Sequence, residues 1–380
     1  MKIIYCIAGT RHSGGMERVL ANKANWLVNH GHEVSIITTD QEGEKPFFKL
    51  DERIRCHDLA IGYEENNGKG FLNKIIHYPI KQWKHKRRLK ALLQREKADI
   101  VVSMFCNDAG FLPSIQDGSR KVLEIHFSRY KLLQYGRKGL WALADKWRSN
   151  NYEKLASKFD KFVVLTHEDA GYWKGLDNMV VIPNARTFVC NEPARLENKE
   201  VLAVGRYNYQ KGYDRLLDAW AMVHEAEPEW KLRILGDGEL RSDLEKQANR
   251  LHIADSVIFG KAEHKVEEIY QQASIYAMTS RYEGLPMVLL EAQAAGLPIV
   301  SYDCKCGPKD LIRDGENGYL IQEGDAKCFA SKILELIENQ NLRRSMGRQA
   351  FTDSCEYDTE KVMKGWEELF RALQSTARSE

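Results

Sequence analysis

Short apolar runs alternate along this chain with longer stretches in which apolar residues recur every three or four positions. The short runs are typical of strands buried in a parallel sheet, and the amphipathic stretches are typical of the helices that connect them. In the first half, strands are predicted at Lys2–Ala8, Glu33–Thr38, Asp99–Met104, Lys121–Ile125, Lys161–Thr166 and Met179–Ile182. In the second half, they are predicted at Glu200–Val204, Lys231–Leu235, Ser256–Phe259, Ser274–Met278, Pro298–Tyr302 and Gly318–Ile321. The pattern predicts an α/β fold with doubly wound parallel sheets.

The alternation is interrupted once, near the middle of the chain. Pro183 begins a polar link that runs to Lys199, after which the alternation restarts. With 380 residues, 43% of them apolar, the chain is long enough to bury two cores. We therefore predict two domains, residues 1–183 and 184–380, that face each other across a cleft. A last helix over about 359–373 ends the chain and is a candidate to pack back on the first domain.

Several classes of protein are disfavoured by the sequence. No run of about 18 apolar residues occurs, so no membrane-spanning helix is expected, and the apolar N-terminal run is too short for a secretory signal. The eight cysteines follow no zinc-site spacing, and Cys304 and Cys306 form a lone CxC pair without a metal partner pattern. Reduced thiols and a cytoplasmic location are expected.

The charge is distributed unevenly between the two halves. Residues 1–183 hold 30 Lys and Arg against 21 Asp and Glu, whereas residues 184–380 hold 26 against 33. Much of the excess lies between Lys74 and Lys97, in Lys81, Lys84, Lys86, Arg87, Arg88, Lys90, Arg95 and Lys97. Such a basic amphipathic stretch either rests on anionic lipid head groups or forms the solvated face of an ordinary helix.

Two further observations indicate what the basic first half of the chain could bind. The segment Arg129–Arg148 carries Trp141, Trp147 and several basic residues, which favours association with a membrane surface. A nucleic-acid partner is not expected, because the basic residues follow no nucleic-acid recognition motif.

A glycine-rich loop follows the first predicted strand. It runs from Gly9 to Gly15 and leads into an amphipathic helix. Glycines there allow a ligand to approach the backbone, but the spacing is not the GxGxxG dinucleotide fingerprint, and a plain tight turn is the alternative. Arg11, His12 and Glu17 are polar candidates beside this loop, each with a weak signal.

The first strand of the second half leads into a loop with two cations. Arg206 and Lys211 lie five residues apart between Gly205 and Gly212, a spacing that suits a diphosphate, although surface cations are common. The next strand ends in a turn that starts at Gly236, where a helix N-cap and a ligand contact are both consistent with the residues.

Two glutamates bracket a predicted helix start. Pro286 suits the first turn of a helix, and the free amides at Met287–Leu289 would then form an anion site. Glu283 before that site and Glu291 beside it could accept hydrogen bonds from hydroxyl groups, one from a sugar and the other from a ribose. The alternative is an amphipathic helix with two solvated glutamates.

Taken together, these loops resemble those of the retaining glycosyltransferases of family 4, which have the GT-B fold of two Rossmann-like domains. The loop at Gly14-Gly15-Met16-Glu17 is similar to the family's Gly-Gly-x-Glu segment, and Gly307–Ile312 is similar to its Gly-Pro-x-(Glu/Asp)-(Ile/Leu)-Ile segment. The resemblance spans nearly the whole chain. It implies a nucleotide-sugar donor in the C-terminal domain, an acceptor in the N-terminal domain, and neither metal nor cofactor. The sequence contains no Asp-x-Asp, the metal-diphosphate motif of the other large glycosyltransferase fold.

The resemblance also assigns roles to residues. It implies that Arg206 and Lys211 bind the donor diphosphate and stabilise the leaving charge, that Glu283 holds the transferred sugar and that Glu291 holds the ribose. His126, at the end of a strand, matches a family histidine that orients the sugar or helps to bind the acceptor. The donor contacts are completed by Gly14, Gly15, Gly236, Gly284, Leu285, Pro286 and Met287.

The expected function is therefore that of a retaining, metal-independent hexosyltransferase. It would move a hexose or N-acetylhexosamine from a nucleotide sugar, most often UDP-linked in the family, to a saccharide or lipid-linked acceptor in lipopolysaccharide, capsule or related glycan synthesis. A peripheral position on the inner face of the cytoplasmic membrane would fit the basic first half. A nucleotide-sugar epimerase of the same fold and a non-catalytic partner subunit are the alternatives.

Overall fold

The first half of the chain builds a seven-stranded parallel sheet. The computed structural model describes residues 1–12, 14–66, 71–129, 131, 151–173, 175–261 and 266–377. The sheet contains β1 (Lys2–Cys6), β2 (Glu33–Thr38), β3 (Arg55–Asp58), β4 (Ile100–Ser103), β5 (Arg120–Glu124), β6 (Lys161–Val164) and β7 (Met179–Val181). Its order is β3-β2-β1-β4-β5-β6-β7, which places β1 and β4 side by side at the point where the direction of winding reverses.

The second half builds a six-stranded parallel sheet. Its strands are β8 (Glu200–Val204), β9 (Lys231–Leu235), β10 (Val257–Gly260), β11 (Ile275–Met278), β12 (Ile299–Tyr302) and β13 (Gly318–Ile321). The order is β10-β9-β8-β11-β12-β13, so the same reversal of winding occurs between β8 and β11. Two doubly wound, Rossmann-like sheets confirm the predicted fold class.

Helices cover both sheets. Those with described bounds are α1 (Gly15–Asn29), α2 (Phe71–Glu96), α3 (His167–Tyr172), α4 (Tyr213–Ala226), α5 (Arg241–Arg250), α6 (Val266–Gln272), α7 (Met287–Ala294), α8 (Pro308–Leu311), α9 (Ala326–Glu338), α10 (Gln340–Ser354) and α11 (Thr359–Ala377). Residues 151–156 are also helical.

All twelve predicted strands are present, with small differences at their ends, whereas β3 was not predicted. Its sequence, Arg55-Cys56-His57-Asp58, is polar, and three of these four residues are exposed. The strand lies at the edge of the first sheet, where only one neighbouring strand and little apolar burial are needed. The period-two apolar pattern that reveals a central strand is therefore missing.

The terminal helix α11 packs on the first sheet, although it ends the chain. Trp366 and Phe370 are buried in one cluster with Ile3 and Tyr5 of β1. The residues after the second sheet thus return to the N-terminal core, and the two halves are joined by packing as well as by the link after β7.

Three basic residues of helix α2 contact the loop that follows β3. Lys81, Lys84 and Arg88 donate hydrogen bonds to the carbonyl groups of residues 59–62 and so belong to the packing of the first domain. Arg88 is nevertheless exposed, and Lys81 and Lys84 are half-buried, so these hydrogen bonds do not exclude a solvated helix face. The second aromatic and basic segment, Arg129–Arg148, lies mostly outside the described residues.

Across the described parts of the chain, no helix combines the length and the apolar character needed to cross a bilayer.

Candidate active site

The loops that follow the strands of the two sheets meet at Gly284. A Cβ atom built on this glycine would lie 2.8 Å from the carbonyl oxygen of His126 and 3.0 Å from Cα of Phe127. His126 follows β5 and Gly284 follows β11, so the carboxyl ends of these two strands face each other. Glycine at position 284 lets the predicted sugar-binding loop touch the backbone beside the histidine.

Glu283 and Lys211 form an ion pair at this meeting point. Nζ of Lys211 lies 2.8 Å from Oε1 of Glu283, and Nε2 of Gln210 donates to Oε2 at 3.3 Å. The Glu283 backbone is fixed by Lys305 and Cys306, because its N–H donates to the former and its carbonyl accepts from the latter. With 7% exposure, Glu283 is buried, so the alternative of a solvated glutamate is wrong.

Arg206 lies in the loop after β8, which packs closely on the loop after β9. A Cβ atom on Gly236 would overlap the carbonyl oxygen of Gly205, and the Tyr207 N–H donates to the Asp237 carbonyl at 2.9 Å. The Arg206 side chain is exposed and forms neither an ion pair nor a hydrogen bond with any residue that the structure describes. Its charge is therefore available to a ligand.

The start of helix α7 differs from the prediction in two details. Pro286 occupies the N-cap position instead of the first helical turn. The N–H of Leu289 donates to the Pro286 carbonyl at 2.9 Å, so this amide is already satisfied and does not belong to the expected anion site. The side chains of Leu285 and Leu289 are buried in the core of the second domain, which leaves contact through the backbone as the way for Leu285 to meet a donor.

Glu291 is held on the other side of the same helix start. Thr187 donates its hydroxyl to Oε1 and Tyr270 donates to Oε2, both at 2.9 Å. Burial raises the pKa of Glu291, while these hydrogen bonds and the charges of Arg18 and Lys211 oppose that shift. At 9% exposure this glutamate is not solvated either.

The Gly14–Gly15 loop reaches the same region from the first domain. Gly14 is the N-cap of α1 and Gly15 is its first residue. One turn further on, Arg18 is close enough to Glu291 for its charge to lower the pKa of that carboxyl group. Arg11, by contrast, is engaged in ion pairs with Glu42, Glu44 and Glu64.

His126 is nearly buried beside a second carboxylate. Its Nε2 lies 3.1 Å from Oε1 of Glu124, at an angle that does not make a well-formed hydrogen bond. Glu124 also accepts two hydrogen bonds from Nζ of Lys23, at 2.6 and 2.7 Å.

The Gly307–Ile312 segment joins the two domains. Asp310 accepts hydrogen bonds from the backbone N–H groups of His167 and Glu168 at the start of α3. Glu168 in turn accepts from the Gly307 N–H at 3.2 Å. This motif therefore ties the second domain to the first, directly behind the Glu283 loop.

Comparison with known proteins decides the family. Residues 13–186 match the family model described as Glycosyltransferase Family 4, and residues 189–353 match that for glycosyl transferases group 1. A glycosyltransferase of Haemophilus influenzae is 31% identical over 379 residues, which cover 96% of this chain and 98% of the relative. The chain is a family 4 glycosyltransferase.

Other relatives agree with this assignment. The amylovoran biosynthesis glycosyltransferase AmsD of Erwinia amylovora is 30% identical, and the alignment covers 97% of this chain and 99% of that protein. TarM of S. aureus, solved with fondaparinux, α-GlcNAc-glycerol and UDP, superposes with a TM-score of 0.79 over 97% of this glycosyltransferase and 99% of TarM. At 18% identity, that likeness shows the GT-B fold alone.

Several site residues of this glycosyltransferase were not identified from the sequence. Gln210 contacts Glu283, Thr187 and Tyr270 hold Glu291, and Lys23 and Glu124 form the buried pair beside His126. The contacts of Glu291 and Glu124 join residues that are 21 to 104 positions apart. Spacing along the chain carries no signal for such pairs.

Proposed function

We propose that this glycosyltransferase moves a hexose or N-acetylhexosamine from a UDP-sugar to a saccharide or lipid-linked acceptor, with retention of configuration and without a metal ion. The observation that carries the proposal is the burial of Glu283 and Glu291 on two sides of one helix start, with Lys211 beside Glu283 and an exposed Arg206 in the same loop as Lys211. A nucleotide sugar offers a matching pattern, because it carries hydroxyl groups at both ends and a diphosphate between them.

The diphosphate would be held by the cations of the second domain. Arg206 would give up no ion pair or hydrogen bond with any residue that the structure describes, whereas Lys211 must exchange Glu283 for a phosphate oxygen. The amides of Met287 and Val288 at the start of α7 would add two donors and the positive end of the helix dipole. Charge that develops on the departing phosphate would thus be stabilised by fixed groups, which is the task of a metal ion in other transferases.

Release of Lys211 would leave Glu283 with an open acceptor oxygen in a buried site. A sugar hydroxyl is a suitable donor for that oxygen, so donor binding would replace one interaction of Glu283 with another. Glu291 would accept from the ribose hydroxyls, with Thr187 and Tyr270 fixing its orientation. Gly14 and Gly15 would approach the donor from the first domain.

The transfer step needs no nucleophile from the protein. The bond between the anomeric carbon and the β-phosphate oxygen breaks, and the acceptor oxygen bonds to the same face of that carbon. The proton of the acceptor hydroxyl passes to the departing phosphate oxygen, so UDP leaves as the second product. The protein contributes orientation, electrostatic stabilisation and the exclusion of water, and His126 would orient the sugar or the acceptor.

The acceptor is proposed from the relatives. The E. amylovora relative is named for amylovoran biosynthesis, and TarM was solved with UDP and a GlcNAc-bearing glycerol. We infer from these names a role in lipopolysaccharide, capsule or related surface-glycan assembly.

A lipid-linked acceptor would place the protein at the inner face of the cytoplasmic membrane, and α2 offers a surface for that contact. Ile80 and Trp83 are 58% and 64% exposed, and Lys86, Arg87 and Lys90 are exposed on the same helix. An aromatic residue among outward lysines and arginines suits the interface of an anionic bilayer.

The function is tested by incubating the pure, full-length protein with UDP-, GDP- and ADP-sugars and a panel of saccharide and lipid-linked acceptors. Release of UDP together with a glycosylated acceptor of retained configuration supports the proposal. Formation of an epimer without an acceptor would indicate a nucleotide-sugar epimerase, and absence of both activities and of UDP binding would indicate a non-catalytic subunit.

A further inference from the structure

A buried ion pair lies directly behind His126. Glu124, at the carboxyl end of β5, has no exposed surface, and it accepts both of its short hydrogen bonds from Nζ of Lys23 on α1. Removing two charges from water is costly, and only good geometry and further polar contacts offset that cost. An apolar pair of similar volume could fill this position without that cost. Stability alone therefore does not account for the two charges.

The carboxylate of Glu124 faces the ring of His126 as well as Lys23. Burial alone would raise the pKa of Glu124, but Lys23 and His126 beside it lower that pKa to about 2. The group is therefore a carboxylate at neutral pH. Its Oε1 lies 3.1 Å from Nε2 of His126, a distance at which an Nε2–H can donate to a carboxylate oxygen.

The terminal helix closes the far side of the pair. Nζ of Lys23 lies 3.6 Å from the ring centroid of Trp366 on α11 and 5.6 Å from that of Tyr5 on β1. Contact with an aromatic face stabilises a desolvated ammonium group and excludes water from it. Lys23 is thus held between the core aromatics and Glu124, with little freedom to move.

We propose that Glu124, fixed by Lys23, is a positioning residue for His126: it orients the ring and keeps the ring proton on Nε2, so that Nδ1 is the lone-pair nitrogen available to the ligand. A carboxylate that accepts from one nitrogen of an imidazole selects the tautomer in this way. The inference rests on the proposed function, in which His126 lies beside the reacting sugar.

The same strand provides a matched control. Lys121 and Asp117 form an ion pair whose side chains are 6% and 0% exposed, the same values as for Lys23 and Glu124. The Asp117 pair includes no histidine and lies at the start of β5, whereas Glu124 lies at its end. Asp117→Asn therefore reports the cost of breaking a buried pair, without an effect on His126.

The test uses the full-length protein labelled with ¹⁵N-histidine, with the His126 ring signals assigned from His126→Gln. In the wild type, the ring nitrogens are expected to show the Nε2–H tautomer at about pH 8. Glu124→Gln should move these signals toward a tautomer mixture and lower kcat about tenfold or more, with the donor KM within about twofold. Asp117→Asn should leave the His126 signals and kcat unchanged.

A double variant, Lys23→Met with Glu124→Leu, removes both charges and so avoids an unpaired buried ion. It should fold but keep the low kcat of Glu124→Gln, because no carboxylate faces His126. A double variant with wild-type kcat, or a Glu124→Gln protein with unchanged His126 signals, would overturn the inference. If the wild type transfers no sugar, the proposed function fails, while the nitrogen signals still decide whether Glu124 positions the ring.

Discussion

The ammonium group of Lys211 lies 2.8 Å from Oε1 of Glu283, although 72 residues separate the two along the chain. Both side chains are largely buried, so each neutralises the charge of the other. In the proposed function, donor binding breaks this pair, because Lys211 would contact the phosphates and Glu283 the sugar. A ligand that carries both phosphates and a sugar would replace both interactions. A ligand with only one of these groups would leave Lys211 or Glu283 without a partner.

The first prediction concerns Glu283→Gln, which removes the charge but keeps the size of the side chain. Turnover should fall about 100-fold, because the sugar loses its charged hydrogen-bond acceptor. UDP, which has no sugar to contact Glu283, should bind as well as before or more tightly, because Lys211 no longer has a competing carboxylate.

Steady-state kinetics and UDP calorimetry measure the two effects, and Glu338→Gln, an exposed position on α9, is the control. Weaker UDP binding by Glu283→Gln would mean that Glu283 supports the nucleotide and not the sugar.

Glu291→Gln should act mainly on affinity. At about pH 8 the variant is expected to bind UDP about tenfold more weakly than the wild type, because an amide replaces the charged acceptor for the ribose. Burial raises the pKa of Glu291, so the carboxylate becomes protonated as the pH falls through that raised value. Wild-type affinity should therefore decrease more steeply than that of the variant between about pH 8 and about pH 5. Calorimetry that gives parallel pH profiles would exclude a ribose contact by the Glu291 carboxylate.

Much of the fold could be predicted because its signals are local. Buried parallel strands are short apolar runs, and each of the twelve predicted strands carries one. The loops at Arg206, Lys211 and Glu283 could also be found, since each lies within a few residues of a strand end. β3 could not, because an edge strand made of Arg55-Cys56-His57-Asp58 is polar throughout.

The contacts within the site depend on tertiary packing, which spacing does not reveal. Nothing in the sequence indicates that Lys23 would be buried against Glu124, 101 residues away, or that Lys211 would pair with Glu283. The basic residues of α2 show the same limit. Their spacing predicted a basic amphipathic stretch, yet it did not show that Arg88 would donate hydrogen bonds to the carbonyl groups of Leu59 and Ala60 while Lys86 and Lys90 remain exposed.

The surface of α2 gives the third prediction. Trp83→Ser combined with Lys86→Gln and Lys90→Gln should lower binding to vesicles that contain an anionic lipid about tenfold or more, since both the aromatic anchor and two charges are lost. Transfer to a soluble acceptor should not change. Co-sedimentation measures the binding, with Lys327→Gln and Lys364→Gln, two exposed lysines elsewhere, as the control. Equal binding by all these proteins would remove α2 as the membrane contact.

The fourth prediction is that Gly284→Ala lowers kcat. The added methyl group would lie 2.8 Å from the His126 carbonyl oxygen, so the Glu283 loop must retreat from the first domain. Gly110→Ala is the control, because a Cβ atom there meets nothing within 4 Å. We expect a decrease in kcat of about tenfold or more for Gly284→Ala and a wild-type value for Gly110→Ala. Equal rates for the two variants would show that close approach of the two loops is not needed.

We propose that the loop after β8 binds a nucleoside diphosphate, and calorimetry with UDP and with uridine is the decisive measurement. The wild type is expected to bind UDP, and Arg206→Gln should weaken that binding about tenfold while uridine, which lacks phosphates, binds both proteins equally. An absence of UDP binding by the wild type, or an Arg206→Gln protein with unchanged affinity for UDP, would contradict the account.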